Sequence, residues 1–234
     1  KVELVLLCVV FLMLAGRAQA QRSDGPAAYE EEYDNQMSGL LWRQYQEVSG
    51  WFEAAYREFP TVPRGVLEAV SFQYTRFTPN VIMDTLEPDP EEKPRVYSVM
   101  GMTLHGKGVF RENARRIAAV TPYPLDAILW EPGAAVKAYA CAFAQLQRAY
   151  GYVGDSLERY KPIFVELCEL PLPREGEDGF AMSSFLYMIY YFLSREDYAR
   201  YGVPRRDIDF NLLFGDELPR LRGGRAEVPP VPAT

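Results

Sequence analysis

The sequence predicts an all-α domain on three observations. Apolar residues recur at three- and four-residue steps through most of the chain, strand-like alternation is nearly absent, and proline and glycine clusters separate the periodic stretches. The chain has 234 residues, 48% of them hydrophobic and 24% charged, a balance that supports a packed core and excludes disordered, collagen-like and disulfide-scaffold classes. The formal charge of −7 leaves no basic face for nucleic acid, so neither DNA nor RNA is an expected partner. His105 is the single histidine, which removes most metal-hydrolase sites and every Ser-His or Cys-His device that does not run through it. No cofactor is expected. Chemistry must lean on carboxylates, tyrosines or the backbone.

Taken in order, residues 1–20 read as a secretory signal. Lys1 precedes the apolar run Leu4 to Leu14, and Ala18-Gln19-Ala20 offers a small-x-small cleavage pattern before Gln21. That run is too short to span a bilayer, which needs about 20 apolar residues, so an integral membrane protein is not expected. Cys8 lies within it and lacks the small residues of a lipoprotein cleavage site. Export would leave Cys141 and Cys168 in an oxidising compartment, where they either pair or persist as buried free thiols.

Residues 21–35 are polar and acidic without period and read as a disordered lead-in, and residues 220–234 as a Pro/Gly-rich tail or linker. The domain between them covers 36–219. Met37, Leu40, Leu41, Tyr45, Val48, Trp51, Phe52 and Tyr56 give a first helix with one apolar face, on which Trp42 and Trp51 read as core anchors. Pro63 suits the opening of a second helix carrying Val66, Leu67, Val70 and Tyr74. The proline- and acid-rich stretch 79–97 reads as a long loop. Further helices are expected at about 108–120, 124–130, 132–150, 153–169 and 180–193. Ser194-Arg195-Glu196-Asp197 resembles a capping box opening a short helix that closes at Gly202.

Glu68 stands alone as an acid among Leu67, Ala69 and Val70. If it faces inward, desolvation disfavours its ionised form and raises its pKa toward the range of a general acid at neutral pH; if it faces outward, it is an ordinary solvated residue. Farther on, Tyr97-Ser98-Val99-Met100-Gly101-Met102 and His105-Gly106-Lys107-Gly108 contain small residues that let backbone approach a ligand.

These blocks, in this order, resemble the lysozyme-like fold of lytic transglycosylases and goose-type lysozymes. The closest likeness is to the transglycosylase-like N-terminal region of exported Bacteroidetes-type N-acetylmuramoyl-L-alanine amidases. Gly65 to Phe72 is similar to the helix carrying the family's catalytic Glu, with Ser71 and Phe72 near the Ser and aromatic that follow it. Tyr97 to Met102 is similar to the Gly-Leu-Met-Gln block lining the sugar cleft, with Ser98 in place of the leading glycine and Gly101 in place of the glutamine. Ala135 to Gly151, including Tyr139, is similar to the helix packed under that cleft, and Phe185 to Gly215 to the end of the amidase-associated version.

The resemblance implies cleavage of peptidoglycan glycan strands with Glu68 as general acid/base, and Ser71, Tyr97, Ser98, Met100, Gly101 and Tyr139 at the substrate. It also implies a periplasmic or cell-envelope setting. A transglycosylase needs no second carboxylate. A muramidase would need one to activate water, for which Asp84, Glu87, Asp89, Glu91 and Glu92 are candidates, though a run of this kind reads first as a solvated loop. Tyr187, Tyr190 and Tyr191 could offer sugar-stacking surface but sit at core spacing; Lys107 and Arg111 could meet carboxylates of the substrate or lie solvated on a surface, and His105 reads as a rim residue. The alternative is a non-catalytic peptidoglycan-binding module serving an amidase or another envelope partner. Amidase chemistry would need several His ligands for zinc, so a downstream domain would have to supply it.

Overall fold

In a computed structural model the described residues are 26–78, 95–104, 110–152, 154, 156–173 and 179–223. Nine α-helices and one hairpin are found among them: α1 (Pro26–Glu58), α2 (Val66–Thr75), β1 (Arg95–Tyr97), β2 (Met102–Leu104), α3 (Asn113–Val120), α4 (Leu125–Trp130), α5 (Pro132–Ala149), α6 (Lys161–Leu167), α7 (Phe180–Ser194), α8 (Phe210–Phe214) and α9 (Leu218–Gly223), with short 3-10 turns at Leu157–Tyr160, Glu196–Tyr201 and Gly215–Glu217. The expected all-α class holds for the described residues. Two units divide the chain between Arg43 and Gln44. Among the described residues the first consists of the α1 segment 26–43, where Trp42 is exposed rather than a core anchor. The second unit carries every other element and the candidate site.

Several boundaries differ from the sequence reading. The first helix begins at Pro26, inside the stretch read as a disordered lead-in, and α9 runs into the first residues of the expected tail. The 108–120 helix starts only at Asn113, whose side chain is occupied elsewhere, and within the expected 153–169 helix Leu157–Tyr160 is a 3-10 turn leading into the short α6, because Pro162 suits only a first turn. Ser194 ends α7 and bonds back to the Tyr191 carbonyl at 2.9 Å, so it does not cap the next turn; Gly202, left-handed at φ 69°, closes that turn as expected.

α2 is the buried axis of the second unit, with Val66 to Phe72 and Thr75 all inside. Its C-terminal residues Arg76 and Phe77 both take positive φ, and the buried Phe77 ring meets Tyr45, Phe52, Phe72, Phe192 and Tyr201. α7 packs along α2, with the Phe72 and Phe192 rings 4.7 Å apart. On α5, alanines at 135, 138, 140, 142 and 144 are buried, and Gly133 lets Trp51, only half-buried, approach to 3.2 Å of where a Cβ would stand.

The two-stranded hairpin pairs Arg95 with Leu104, Val96 with Thr103 and Tyr97 with Met102 around a tight turn at Ser98–Gly101. Ser98 and Gly101 both have positive φ, and a Cβ on Gly101 would fall 2.2 Å from Tyr74 Cγ, so glycine is required there by backbone and by packing. Thr75 Oγ1 donates to the Val99 carbonyl at 2.9 Å and ties α2 to this turn. Asn113 Oδ1 accepts from Thr103 N at 2.6 Å and from Thr103 Oγ1 at 2.9 Å, while its Nδ2 donates to the Leu167 carbonyl at 3.2 Å, joining hairpin, α3 and α6.

Candidate active site around Glu68

Glu68 occupies the first turn of α2 and is 1% exposed. Its position among Leu67, Ala69 and Val70 therefore means burial and not an amphipathic outward face. Tyr56, from the last turns of α1, donates its hydroxyl to Glu68 Oε2 at 2.5 Å. The same phenol oxygen accepts from Gly65 N at 2.9 Å and from Leu67 N at 3.1 Å. With its acceptor capacity filled by two otherwise orphaned N–H groups of the helix start, Tyr56 is oriented to donate to the carboxylate.

The electrostatics follow from that geometry. Burial pushes the Glu68 carboxyl up to about 7, and the Tyr56 hydrogen bond and the Arg64 charge oppose this without cancelling it. Tyr56 is driven well above its usual range, first by burial and then by the Glu68 charge, so it stays protonated as a donor. Arg64 lies over the Tyr56 ring at 4.8 Å and pairs with Glu53 on the surface. Tyr45 reaches the same neighbourhood: the point where a Cβ on Gly202 would stand is 2.6 Å from Tyr45 Oη and 3.9 Å from Glu68 Oε1. Burial, and next the Glu68 charge, raise Tyr45 to about 12. At neutral pH Glu68 is a carboxyl poised between its two protonation states, backed by one locked phenol and flanked by a second. That arrangement can give and take a proton.

The remaining expected site residues, Ser71, Tyr97, Ser98, Met100, Gly101 and Tyr139, are all buried. Ser71, one turn beyond Glu68, is buried with no hydrogen-bond partner for its Oγ, and so is Ser98. Met100 is fully buried, Gly101 is pressed on Tyr74, and Tyr97 packs edge-on against Trp130 at 5.3 Å. Tyr139, expected near the sugar, is buried in α5 and feels the charges of Cys168 and Glu169. Arg111, considered for substrate carboxylates, instead clamps the last turn of α6 and the chain after it: Nε donates to the Leu170 carbonyl at 2.6 Å and a terminal nitrogen to the Val165 carbonyl at 2.5 Å. Tyr190 is a buried donor to the Leu157 carbonyl at 3.0 Å, and Tyr187 and Tyr191 are half-buried and stacked on each other. His105, Lys107, Asp84, Glu87, Asp89, Glu91 and Glu92 lie outside the described residues.

A cavity of about 570 Å³ is lined by the loop entering α2 (Pro60 to Arg64), by Gln147 and Arg148 of α5, and by Arg206; Glu68 does not line it. Among the described residues no group of three or more His, Cys, Asp or Glu could hold a metal, and no helix is long and apolar enough to cross a membrane. Cys141 and Cys168 are both buried free thiols, and burial holds Cys168 up at about 11.

Compared with protein-family models, curated proteins and solved structures, the chain matches none. The function must therefore be argued from the site itself.

Sequence reasoning found Glu68 but missed Tyr56, which reads in sequence as one more position on an apolar helix face. The signal was there in its polar tip: a tyrosine facing a core needs a partner for its hydroxyl, and Glu68 was the unpaired acid. It also missed a second, half-buried acid, Glu169, which accepts a hydrogen bond from Tyr74 and is raised by burial.

Proposed function

We propose that the chain cleaves glycan strands of peptidoglycan in the cell envelope, with Glu68 as the general acid and then the base. The observation that carries this reading is the Glu68 carboxyl, buried, backed by Tyr56 and raised to about 7. Glycosidic cleavage needs an acid that is protonated at the working pH yet gives up its proton readily. In the transglycosylase form, the Glu68 proton passes to the glycosidic oxygen as the C1–O bond of the muramoyl residue breaks. The resulting carboxylate then removes the proton of the muramoyl 6-hydroxyl as O6 bonds to C1, closing a 1,6-anhydro ring and restoring the acid. One carboxylate completes this cycle, and Tyr56 acts as the positioning group that keeps its oxygen aimed.

The test is incubation of the purified protein with cell-wall sacculi and mass spectrometry of the soluble products. Wild type is expected to release anhydromuropeptides and Glu68→Gln to release none. Equal release by the variant, or none by wild type, overturns the reading.

One observation favours a second reading, a non-catalytic peptidoglycan-binding module that serves an amidase or other envelope partner: Glu68 and the residues expected around the sugar are buried rather than exposed on a surface. Co-sedimentation of wild type with sacculi, with no product released, would select it.

A further inference from the structure

The 570 Å³ cavity has a chemistry of its own. Its walls carry three guanidinium groups, Arg64, Arg148 and Arg206, and no acidic side chain among the described residues that line it, in a chain whose net charge is −7. Arg64 is paired with Glu53, but Arg148 and Arg206 enter no ion pair among the described residues. The backbone N–H of Arg206 is held by the Leu193 carbonyl at 2.9 Å, and its side-chain Nε is buried without a hydrogen-bond partner. Gln147 Nε2 donates to the Thr61 carbonyl at 2.9 Å, which fixes the amide and leaves Oε1 as a buried acceptor that also lacks a partner. Buried polar atoms are ordinarily satisfied, and both of these belong to residues that line the cavity.

A ligand suited to these walls presents an oxyanion to the guanidinium groups and a donor, such as a hydroxyl, to Gln147. The remaining walls suit a ring: Tyr152 and Tyr160 meet edge to face at 6.1 Å, with Tyr160 anchored to the Gly154 carbonyl, and Pro60, Val62 and Pro63 are apolar. The volume lies within the range of small-molecule sites. We propose that this cavity is a binding site for an acidic sugar, a hydroxylated ring bearing a carboxylate or a phosphate. The assignment is independent of catalysis by Glu68, which does not line the cavity.

Titration calorimetry of the whole chain with glucuronate, glucose 6-phosphate and neutral glucose tests it. Saturable binding of one or both acidic sugars is expected, weakened by salt and at least about tenfold tighter than glucose. Preference between the two distinguishes carboxylate from phosphate. Arg206→Met, which keeps the aliphatic bulk, should weaken binding about tenfold or more. Arg148→Ala, at an exposed position where folding is not at stake, should weaken it several-fold, and Glu68→Gln should leave it unchanged. The proposal is overturned if neither acidic sugar binds saturably, if glucose binds as well as they do, or if folded Arg206→Met and Arg148→Ala both retain wild-type affinity.

Discussion

Two acids in the second unit, the buried Glu68 and the half-buried Glu169, share one local chemistry and differ in what surrounds it. Each accepts a hydrogen bond from a tyrosine hydroxyl, and burial raises each above the usual carboxylate range. At Glu169 the opposing charge is built in. Arg111 stands beside it, bonded to the Leu170 and Val165 carbonyls and to Cys168 Sγ, while the Arg111 backbone N–H donates to the Glu169 carbonyl at 2.7 Å. This second acid is a strut joining the chain just after α6 to α2 and to Arg111. At Glu68 the nearby cation, Arg64, is exposed and already paired with Glu53, so it offsets burial weakly. The phenol of Tyr56 is instead committed to two backbone N–H groups. The same acid–tyrosine pair stands beside a guanidinium fixed to backbone carbonyls in one place and beside a surface-paired one in the other.

The largest expected effect separates the two tyrosines. Tyr56→Phe removes the donor to a buried carboxyl and orphans the Gly65 and Leu67 N–H groups in one step, which should cost about 3–5 kcal/mol. Tyr74→Phe removes one hydrogen bond from an acid that is less deeply buried and has Arg111 beside it, and should cost only about 1–2 kcal/mol. Urea denaturation of the two variants checks the ordering. Equal losses would break the distinction between a strut and a poised acid.

Next is the pH dependence. Because folding raises Glu68 to about 7, the native state binds a proton that the unfolded chain has already lost. Stability therefore falls as pH rises from about 4.5 to about 7, by about 3 kcal/mol from this one group, and levels off above that window. Groups that folding lowers, such as Glu58, act in the opposite sense and lose their contribution below about 4.5. Glu68→Gln should flatten most of the decline between pH 5 and 7 in thermal or urea melts, whereas Glu169→Gln should leave most of it in place. If glycan cleavage runs through Glu68, the specificity constant of wild type should also fall above pH 7 as the acid form disappears.

How much of this was legible beforehand follows from the range of each interaction. The helices of the second unit announce themselves because a buried stripe must recur every three or four residues, and the apolar run that carries Glu68 marks α2, although the helix starts at Val66 and leaves Pro63, expected in its first turn, in the loop before it. The hairpin was not legible: three residues per strand give no alternation, and its stability comes from contacts with Tyr74, Thr75 and Asn113 that no local pattern encodes. Within the site, the isolation of Glu68 among apolar neighbours was visible, but which way it faced was not, because α2 is apolar all round and periodicity has no preferred side to report. Tyr56, 12 residues away in sequence, Tyr45 and Gly202 join the acid only through the packing of helices. The three cavity arginines come from three separate segments, and although Arg148 adjoins Gln147 in sequence, no spacing could have grouped either with Arg64 and Arg206.

The smallest expected effect comes from Gly202, where the poised acid meets bare backbone. Its φ of 69° already disfavours any side chain, and an added methyl would press on the Tyr45 hydroxyl at 2.6 Å and stand 3.9 Å from Glu68 Oε1. The hydroxyl is the far end of a side chain and can move, so Gly202→Ala should cost about 1–2 kcal/mol, most of it backbone strain. Gly215→Ala supplies the comparison, because Gly215 also has positive φ (49°) but nothing lies within 4 Å of its added Cβ. Both variants should lose similar stability. Only Gly202→Ala should shift the Glu68 titration followed by carbon NMR of its carboxyl, upward, because the methyl further excludes water from the charged form. A titration left unmoved in Gly202→Ala, or moved equally in Gly215→Ala, would mean that this glycine is only a turn and that the acid takes its character from Tyr56 and burial alone.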